Sequence, residues 1–306
     1  MKRIGFYRNN NYTVSLFNEG TKIRRTEDEE FKPIFPESMD VKISNQCDIG
    51  CPMCHENSTI DGKIGNIMNA KFIDTLHPYT EMALGGGNVL THPDLVPFLR
   101  KLKLRHIFPS MTVNQKHFMK DLDLIKELVD EKLIYGLGIS VIDLNLEFLE
   151  IVKQFPNAVL HIINGLTSEK DIEKLYDKDL KVLILGYKTF RRGVKCYQKN
   201  HELIDSQKQM MFNKLKEMTE HIGVVSFDNL AIEQLDVKRL MSEEEWNQFY
   251  MGNDGNFTMY IDLVEKQFAT SSISTFRYNL LDNIEDMFKV ILEENIEKQY
   301  KQVAIR

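Results

Sequence analysis

The chain has 306 residues, of which 42% are hydrophobic and 27% are charged, an ordinary globular composition with enough chain for a large core. Its formal net charge is −6 and it has no long basic block, which argues against a nucleic-acid partner. It lacks both a run of about 18 apolar residues and the apolar segment of a signal peptide, so we expect no membrane span and a soluble, cytoplasmic protein.

Residues 1–37 are predicted to form a small β-hairpin extension. Two alternating runs, Tyr12–Phe17 and Thr21–Thr26, are joined through Asn18-Glu-Gly20, a plausible turn. The prolines Pro33 and Pro36 then indicate a linker before the next part of the chain.

From about residue 39, short apolar strands alternate with amphipathic helical patterns. The predicted strands are Val41–Ser44, Met82–Gly85, Ile107–Val113, Tyr135–Ile142, Val159–Asn164 and Lys181–Gly186. Between the strands, apolar residues recur at helical spacing, over Ile67–Leu76, Leu122–Val129 and Phe148–Phe155. Because successive βα units imply a parallel sheet with helices outside, we predict an α/β fold with an incomplete parallel (βα)6 barrel over residues 38–230.

After Gly186 the pattern loosens into a predicted α/β extension. We expect a long helix from Leu203 to His221, a seventh strand at Ile222–Phe227 and a helix begun by the capping box Ser242-x-x-Glu245. A second hairpin over Phe257–Thr270 and a final helix from Ile284 to Lys301 follow. Residues 231–306, the predicted C-terminal cap, contain no cysteine, which excludes an auxiliary iron–sulfur cluster with a full set of cysteine ligands there.

The most informative stretch is a C-x3-C-x2-C run directly after the first barrel strand. It places Cys47, Cys51 and Cys54, three of the four cysteines in the chain, within eight residues. Three thiols at this spacing cannot all pair as disulfides, whereas a loop of soft thiolates is typical of a metal or iron–sulfur site. A structural zinc site is the alternative, but four-thiolate zinc sites normally show two C-x2-C pairs, and the fourth cysteine, Cys196, stands alone far along the chain. We therefore predict a [4Fe-4S] cluster with one iron left open.

This cysteine motif resembles the signature of the radical S-adenosylmethionine (radical SAM) superfamily. A second likeness follows at the end of the next strand, where Gly85, Gly86, Gly87 and Asn88 resemble the family's Gly-Gly-Glu-like motif. The resemblance implies a TIM-like partial barrel in which the three cysteines hold a [4Fe-4S] cluster and the glycines approach the methionine part of S-adenosylmethionine (SAM). It also implies reductive cleavage of SAM, hydrogen-atom abstraction from a substrate, and an external electron donor such as flavodoxin or ferredoxin.

The sequence departs from the family pattern at two positions. Asn88 stands where an acidic residue usually follows the glycines, and its amide can accept a hydrogen bond but brings no charge. Met53 stands where an aromatic residue usually precedes the third cysteine, and as a soft apolar side chain it could still touch adenine.

Further cofactor contacts are implied at the carboxyl ends of later strands. Ser140 and Asn164 lie where the family places polar groups directed at the ribose, although each could simply end a strand. His161 lies in an apolar strand, where it is either a proton-transfer group facing the barrel interior or a satisfied core histidine.

Cys196 is the candidate catalytic residue. As in some radical SAM peptide epimerases, its thiol could donate a hydrogen atom to a substrate radical, although lone cysteines are commonly inert packing residues. The neighbouring Arg191, Arg192 and Lys195 would favour the thiolate, which works against donation from S–H.

The sequence therefore predicts a radical SAM enzyme acting on a peptide or protein side chain. Two alternatives stay open: a radical SAM enzyme acting on a nucleotide or another small metabolite, and a non-catalytic iron–sulfur protein that binds SAM.

Overall fold

A computed structural model describes residues 1–304 of the chain, with side chains described for residues 1–297. The first strands, β1 (Arg3–Asn9), β2 (Tyr12–Phe17) and β3 (Lys22–Thr26), form an antiparallel sheet with β2 in the middle. The two strands of the predicted hairpin are present, and β1 adds a third. Strand β1 was missed because only two of its seven residues are buried, so its apolar alternation is weak.

All six predicted barrel strands are present and lie side by side in chain order. They are β4 (Ser38–Ser44), β5 (Glu81–Gly86), β6 (Phe108–Asn114), β7 (Gly136–Ser140), β8 (Ala158–Ile163) and β9 (Lys181–Leu185). The predicted seventh strand, β10 (Val224–Phe227), extends the sheet beyond β9, and every neighbouring pair from β4 to β10 is parallel.

The sheet is larger than the predicted six-stranded barrel. Strand β11 (Thr258–Asp262) pairs in parallel with β4, on the side opposite β5. Two short antiparallel strands, β12 (Gln267–Ala269) and β13 (Tyr278–Asn279), follow it. The hairpin predicted for this region is therefore present, but it is part of the main sheet. Ten strands result, and among the described residues β10 and β13 stay at opposite ends, so the sheet does not close on itself.

Helices connect the strands and pack against one face of the sheet. They are α1 (Leu95–Leu104), α2 (Gln115–Lys120), α3 (Leu122–Asp130), α4 (Leu146–Val152), α5 (Glu169–Glu173), α6 (Arg192–His221) and α7 (Asn229–Leu235). Their apolar residues share one core with alternate residues of the strands, such as Val41, Leu84 and Met111. Two further helices, α8 (Glu243–Phe249) and α9 (Ile284–Ala304), complete the chain, and the predicted capping box between Ser242 and Glu245 is present.

The helix predicted over Ile67–Leu76 is wrong. Only a short 3-10 helix, Lys71–Thr75, forms in the connection from β4 to β5. Residues upstream are tied to the end of β4 instead, because Gly65 donates to the carbonyl of Ile43 at 2.8 Å and Ile64 bridges to Ser44. The apolar residues Ile67, Phe72 and Ile73 are buried as the pattern required, but without an α-helix.

The strand residues that alternate with the core positions form the second face of the sheet, which we call the open face. It carries small and polar side chains in register: Lys42 lies opposite Gly85, Thr112 opposite Gly138, and Ser140 opposite His161. The carboxyl ends of the parallel strands meet at one edge, where ligand sites of α/β sheets are built. No helix in the described part of the chain has the length and hydropathy needed to cross a membrane.

Candidate active site

The three clustered cysteines lie on a loop, residues 45–58, that leaves the carboxyl end of β4. We call it the cysteine loop. Its backbone is fixed by hydrogen bonds from the amide of Cys47 to the carbonyl of Thr59 at 2.8 Å, and from the amide of Cys54 to the carbonyl of Cys51 at 3.2 Å. All three thiols are half-buried. The backbone is therefore held while the sulfur atoms stay accessible to a metal group.

The three thiols of the cysteine loop supply a donor set for a metal group. Burial raises the pKa of Cys47 and of Cys51, and the neighbouring charges of Asp48 and Cys54 add to the rise at Cys47. In the part of the chain that the structure describes, however, the three sulfur atoms do not all lie within 4.8 Å of one another. Thiolates around one zinc ion would, because each Zn–S bond measures about 2.3 Å. Soft thiolates are also the ligands of iron–sulfur clusters, so the residues present fit the group that the resemblance implies.

The glycine segment, residues 85–88, lies directly against the cysteine loop. The amide of Gly87 donates to the carbonyl of Ser44 at 2.7 Å, and the amide of Asn88 donates to the carbonyl of Gln46 at 2.6 Å. Gly86 has a φ of +112°, in the region that favours glycine. A Cβ on Gly87 would come within 2.1 Å of the Gln46 carbonyl oxygen, whereas a Cβ on Gly85 would meet nothing within 4 Å. The structure thus brings the two sequence motifs together.

Replacing Gly87 with alanine should displace the cysteine loop. The new methyl group would collide with the backbone of Gln46, which cannot rotate away, and such overpacking costs about 1–3 kcal/mol. Gly85→Ala is the matched control, because the same methyl group meets open space. Urea unfolding of both variants should show a loss of stability for Gly87→Ala alone. Equal midpoints for the two variants would contradict the close packing of the two segments.

Asn88 and Met53, the two departures from the family pattern, have different surroundings. The side-chain oxygen of Asn88 accepts a hydrogen bond from the amide of Leu90 at 3.2 Å and so caps the short 3-10 helix Val89–Thr91. Asn88 therefore has a structural partner already. Met53 lies beside the start of α6, its carbonyl oxygen 3.6 Å from the position that a Cβ on Gly193 would take.

The two predicted ribose contacts end neighbouring strands but differ in their partners. Ser140 ends β7 on the open face, and its hydroxyl makes no hydrogen bond to any described residue. Asn164 follows β8, is fully buried, and donates to the side chain of Gln234 in α7 at 3.1 Å. The side-chain oxygen of Asn164 is buried without a partner among the described residues.

Cys196 lies in α6, which begins at Arg192 and is therefore longer than the predicted helix. It is half-buried, and its carbonyl accepts a hydrogen bond from the side chain of Asn200 at 2.9 Å. The two arginines that were expected to influence its charge bind the cysteine loop instead. Arg192 donates to the carbonyls of Cys51, at 3.3 Å, and Ser58, and Arg191 donates to the carbonyl of Glu56 at 2.9 Å.

Glu56 in the cysteine loop is the centre of a buried charge network. Its carboxylate lies 3.1 Å from Lys42 Nζ, accepts a hydrogen bond from the Tyr260 hydroxyl at 3.1 Å and lies 3.4 Å from His55 Nε2. Lys42, 2% exposed, also lies 3.2 Å from Asp262. Burial alone would raise the pKa of Glu56, but His55 and Lys42 outweigh it and hold the pKa at about 2. The network ties the cysteine loop to β4 and β11.

His117 supports the loop from another side. Its buried ring on α2 lies 2.6 Å, Nε2 to Oδ1, from Asp48, the residue after the first clustered cysteine. That hydrogen bond lowers the pKa of Asp48. Neither the contact of His117 with Asp48 nor that of Tyr260 with Glu56 could be found from sequence spacing, because the contacting residues are far apart in the chain.

Compared by sequence, the chain matches no family model and no curated protein. Its fold does have a solved counterpart. The structure of Streptococcus suis SuiB bound to the precursor peptide SuiA superimposes with a TM-score of 0.51 and 13% identity, over 81% of this chain. The chain has the SuiB fold. A second structure, SuiB bound to SAM, gives a TM-score of 0.48, also at 13% identity, over 81% of this chain and 62% of that one.

The likeness to SuiB shows a shared fold, at an identity of 13%. The aligned region spans 63% of the SuiB chain, less than two-thirds of its length. At this level of identity the comparison establishes architecture, and activity has to be argued from the site itself.

Proposed function

We propose that this protein is a radical SAM enzyme that cleaves SAM reductively and abstracts a hydrogen atom from a substrate. The observation that carries the proposal is the contact between the cysteine loop and the glycine segment, whose backbones are joined at the carboxyl ends of β4 and β5. This contact supports the proposal because it joins the loop that carries the three thiols to the segment that carries the three glycines.

In this proposal Cys47, Cys51 and Cys54 each ligate one iron of a [4Fe-4S] cluster, leaving one iron for SAM. The chemistry that such a cluster supplies when bound is the one-electron cleavage of SAM to methionine and a 5′-deoxyadenosyl radical. The chain itself holds the ligands in place: Arg192 binds the carbonyl of Cys51. Gly85 leaves room for close approach of SAM, because no atom lies near its missing side chain. Met53, Asn88, Ser140 and Asn164 stay proposed SAM contacts, and Cys196 a proposed hydrogen-atom donor.

For the substrate we propose a peptide or protein side chain. Support comes from the fold shared with SuiB, whose structure contains a precursor peptide. A nucleotide or small metabolite remains the second candidate, since the open face carries both charged and neutral polar groups. We further propose flavodoxin or ferredoxin as the electron donor and the reducing cytoplasm as the location, because free thiols and a reduced cluster both require such conditions.

The deciding experiment is anaerobic reconstitution with iron and sulfide, followed by reduction in the presence of SAM. We expect an absorbance band from the cluster and formation of 5′-deoxyadenosine and methionine in equal amounts. Protein that holds a cluster but binds SAM without cleaving it, with or without candidate peptides, would identify a non-catalytic iron–sulfur protein. Protein that takes up one zinc and no cluster would contradict the assignment of the three cysteines.

A further inference from the structure

Cys47, Asp48 and His117 bring three different kinds of ligand atom together beside the cysteine loop. A thiol sulfur, a carboxylate oxygen and an imidazole nitrogen all lie within 4.8 Å of one another. Atoms bound to one zinc ion lie up to about 4.6 Å apart, because each bond measures about 2.0–2.3 Å. Among the described residues, no other three Cys, His, Asp or Glu side chains form so compact a group. The three residues therefore already approach the geometry of a site for a single metal ion.

Two of the three ligands are held in place by their surroundings. The amide of Cys47 donates to the carbonyl of Thr59 at 2.8 Å, which fixes the backbone at the thiol. His117 is buried on α2. That helix begins where the side-chain oxygen of Asn114 accepts a hydrogen bond from the amide of Lys116 at 3.0 Å. An ion would thus meet a thiol and an imidazole whose positions depend on the fold.

Asp48 supplies a third ligand that is free to adjust. Its side chain is 56% exposed, and its Oδ1 lies 2.6 Å from Nε2 of His117. Two such atoms bound to one tetrahedral ion lie about 3.3 Å apart, given bonds of about 2.0–2.1 Å. An ion would therefore replace the hydrogen bond between Asp48 and His117 after a shift of less than about 1 Å, which an exposed aspartate can make.

The mixture of donor atoms indicates the class of metal. Thiolate and imidazole ligands suit Zn²⁺, Fe²⁺ and Co²⁺, whereas Ca²⁺ and Mg²⁺ are bound through oxygen atoms. Three protein ligands leave the fourth position of a tetrahedral ion to water. One sulfur, one nitrogen and one oxygen atom therefore fit one divalent transition-metal ion.

We propose that the cluster-free protein binds one divalent transition-metal ion, such as Fe²⁺, through Cys47, Asp48 and His117. Binding releases the thiol proton of Cys47 to solvent and changes no oxidation state. Because Cys47 is also a proposed cluster ligand, the single ion and the cluster exclude each other. This exclusion rests on the proposed function, whereas the binding of the ion does not.

The test is an anaerobic titration of the cluster-free chain with Co²⁺, without sulfide. We expect one bound equivalent, with a near-ultraviolet band from a cobalt–thiolate bond and the visible bands of a four-coordinate ion. Asp48→Asn and His117→Gln should each weaken Co²⁺ binding more than about tenfold, because even the loss of a residue that only orients a metal ligand costs about 10–100-fold. Cys51→Ser and Cys54→Ser should leave the affinity unchanged.

His221→Gln is the matched control. His221 lies beside Asp177, with 3.2 Å between Nδ1 and Oδ1, so the two residues form the same type of pair. In the described part of the chain, however, they belong to no compact group of three ligands. The affinity for Co²⁺ should therefore stay as in the wild type. Should His117→Gln fail to fold, Asp48→Asn carries the test, because Asp48 is exposed.

Two results would overturn the proposed site. One is a wild-type protein that binds no Co²⁺, and the other is binding that needs Cys51 and Cys54 but neither Asp48 nor His117. Reconstitution with iron and sulfide tests the exclusion: Co²⁺ should slow cluster formation in the wild type and have little effect in His117→Gln. Wild-type protein that builds no cluster even without Co²⁺ would instead count against the proposed function.

Discussion

Cys51→Ala protein should lose its cluster and, with it, all cleavage of SAM. Each thiolate of the cysteine loop is proposed to bind a different iron, so the loss of one thiolate removes one of the three cluster ligands. Asp48 and His117 offer ligand atoms within 4.8 Å of the Cys47 sulfur, but these are oxygen and nitrogen atoms rather than thiolates. Since loss of a residue that merely orients a metal ligand costs about 10–100-fold in metal affinity, loss of the ligand itself should cost more.

Iron content, cluster absorbance and 5′-deoxyadenosine yield after anaerobic reconstitution measure this effect. Cys196→Ala is the control, because Cys196 is the one cysteine outside the loop and its removal should leave iron content and absorbance as in the wild type. The backbone of the loop should survive in Cys51→Ala, because Arg192 binds the carbonyl rather than the side chain of residue 51. A wild-type spectrum for Cys51→Ala would refute the ligand assignment.

We expect a large loss of folding stability for Glu56→Gln. The substitution leaves Lys42 buried with Asp262 as its one remaining carboxylate partner among the described residues, and it removes the charge that the Tyr260 hydroxyl and His55 face. Breaking one partner of a buried ion pair typically costs 3–5 kcal/mol, so we expect a loss of about 3 kcal/mol in the free energy of unfolding. Because Glu56 belongs to the cysteine loop, the yield of cluster after reconstitution should fall as well.

Urea unfolding of the cluster-free protein gives the measurement, with Asp282→Asn as control. Asp282 pairs with Lys71 at 2.7 Å, but both side chains are more than 70% exposed, so its loss should change stability by less than about 1 kcal/mol. The pH dependence is a second check. The pKa of Glu56 is about 2 in the folded chain against 4.5 for an unperturbed glutamate, so its contribution is fully present above pH 4.5 and is lost as the pH falls toward 2. Glu56→Gln should lack this part of the acid dependence, and equal acid dependence in both proteins would contradict the network.

The sequence predicted the βα part of the fold well because its pattern is local. Burial in β5, β8 and β9 alternates with the strand period, as the apolar pattern of their sequences predicts. The connection over residues 67–76 shows the limit of the same reasoning. Its apolar residues are buried, but contacts of Gly65 and Ile64 with the end of β4 decide the backbone path, and these depend on tertiary packing.

In the candidate site, too, contiguous motifs could be predicted from the sequence, whereas contacts between distant residues could not. Cysteine spacing and the glycine run identified both halves of the candidate centre, because each is a contiguous motif. The residues that hold the cysteine loop in place could not be predicted, because they are distant in the sequence. Glu56 is 14 residues from Lys42 and more than 200 from Tyr260. Arg191 and Arg192 were noticed as a basic run and assigned to Cys196, because nothing in the sequence indicates that the start of α6 faces the cysteine loop.

The pairing of β11 with β4 has a consequence for how the protein is made. The cysteine loop follows β4, early in the chain, yet Tyr260 and Asp262, which complete the network around Glu56 and Lys42, lie on β11, near the end. During synthesis the loop therefore remains without these contacts until residues 258–262 have left the ribosome. A protein truncated before β11 would therefore carry all three thiols without the strand that steadies their loop.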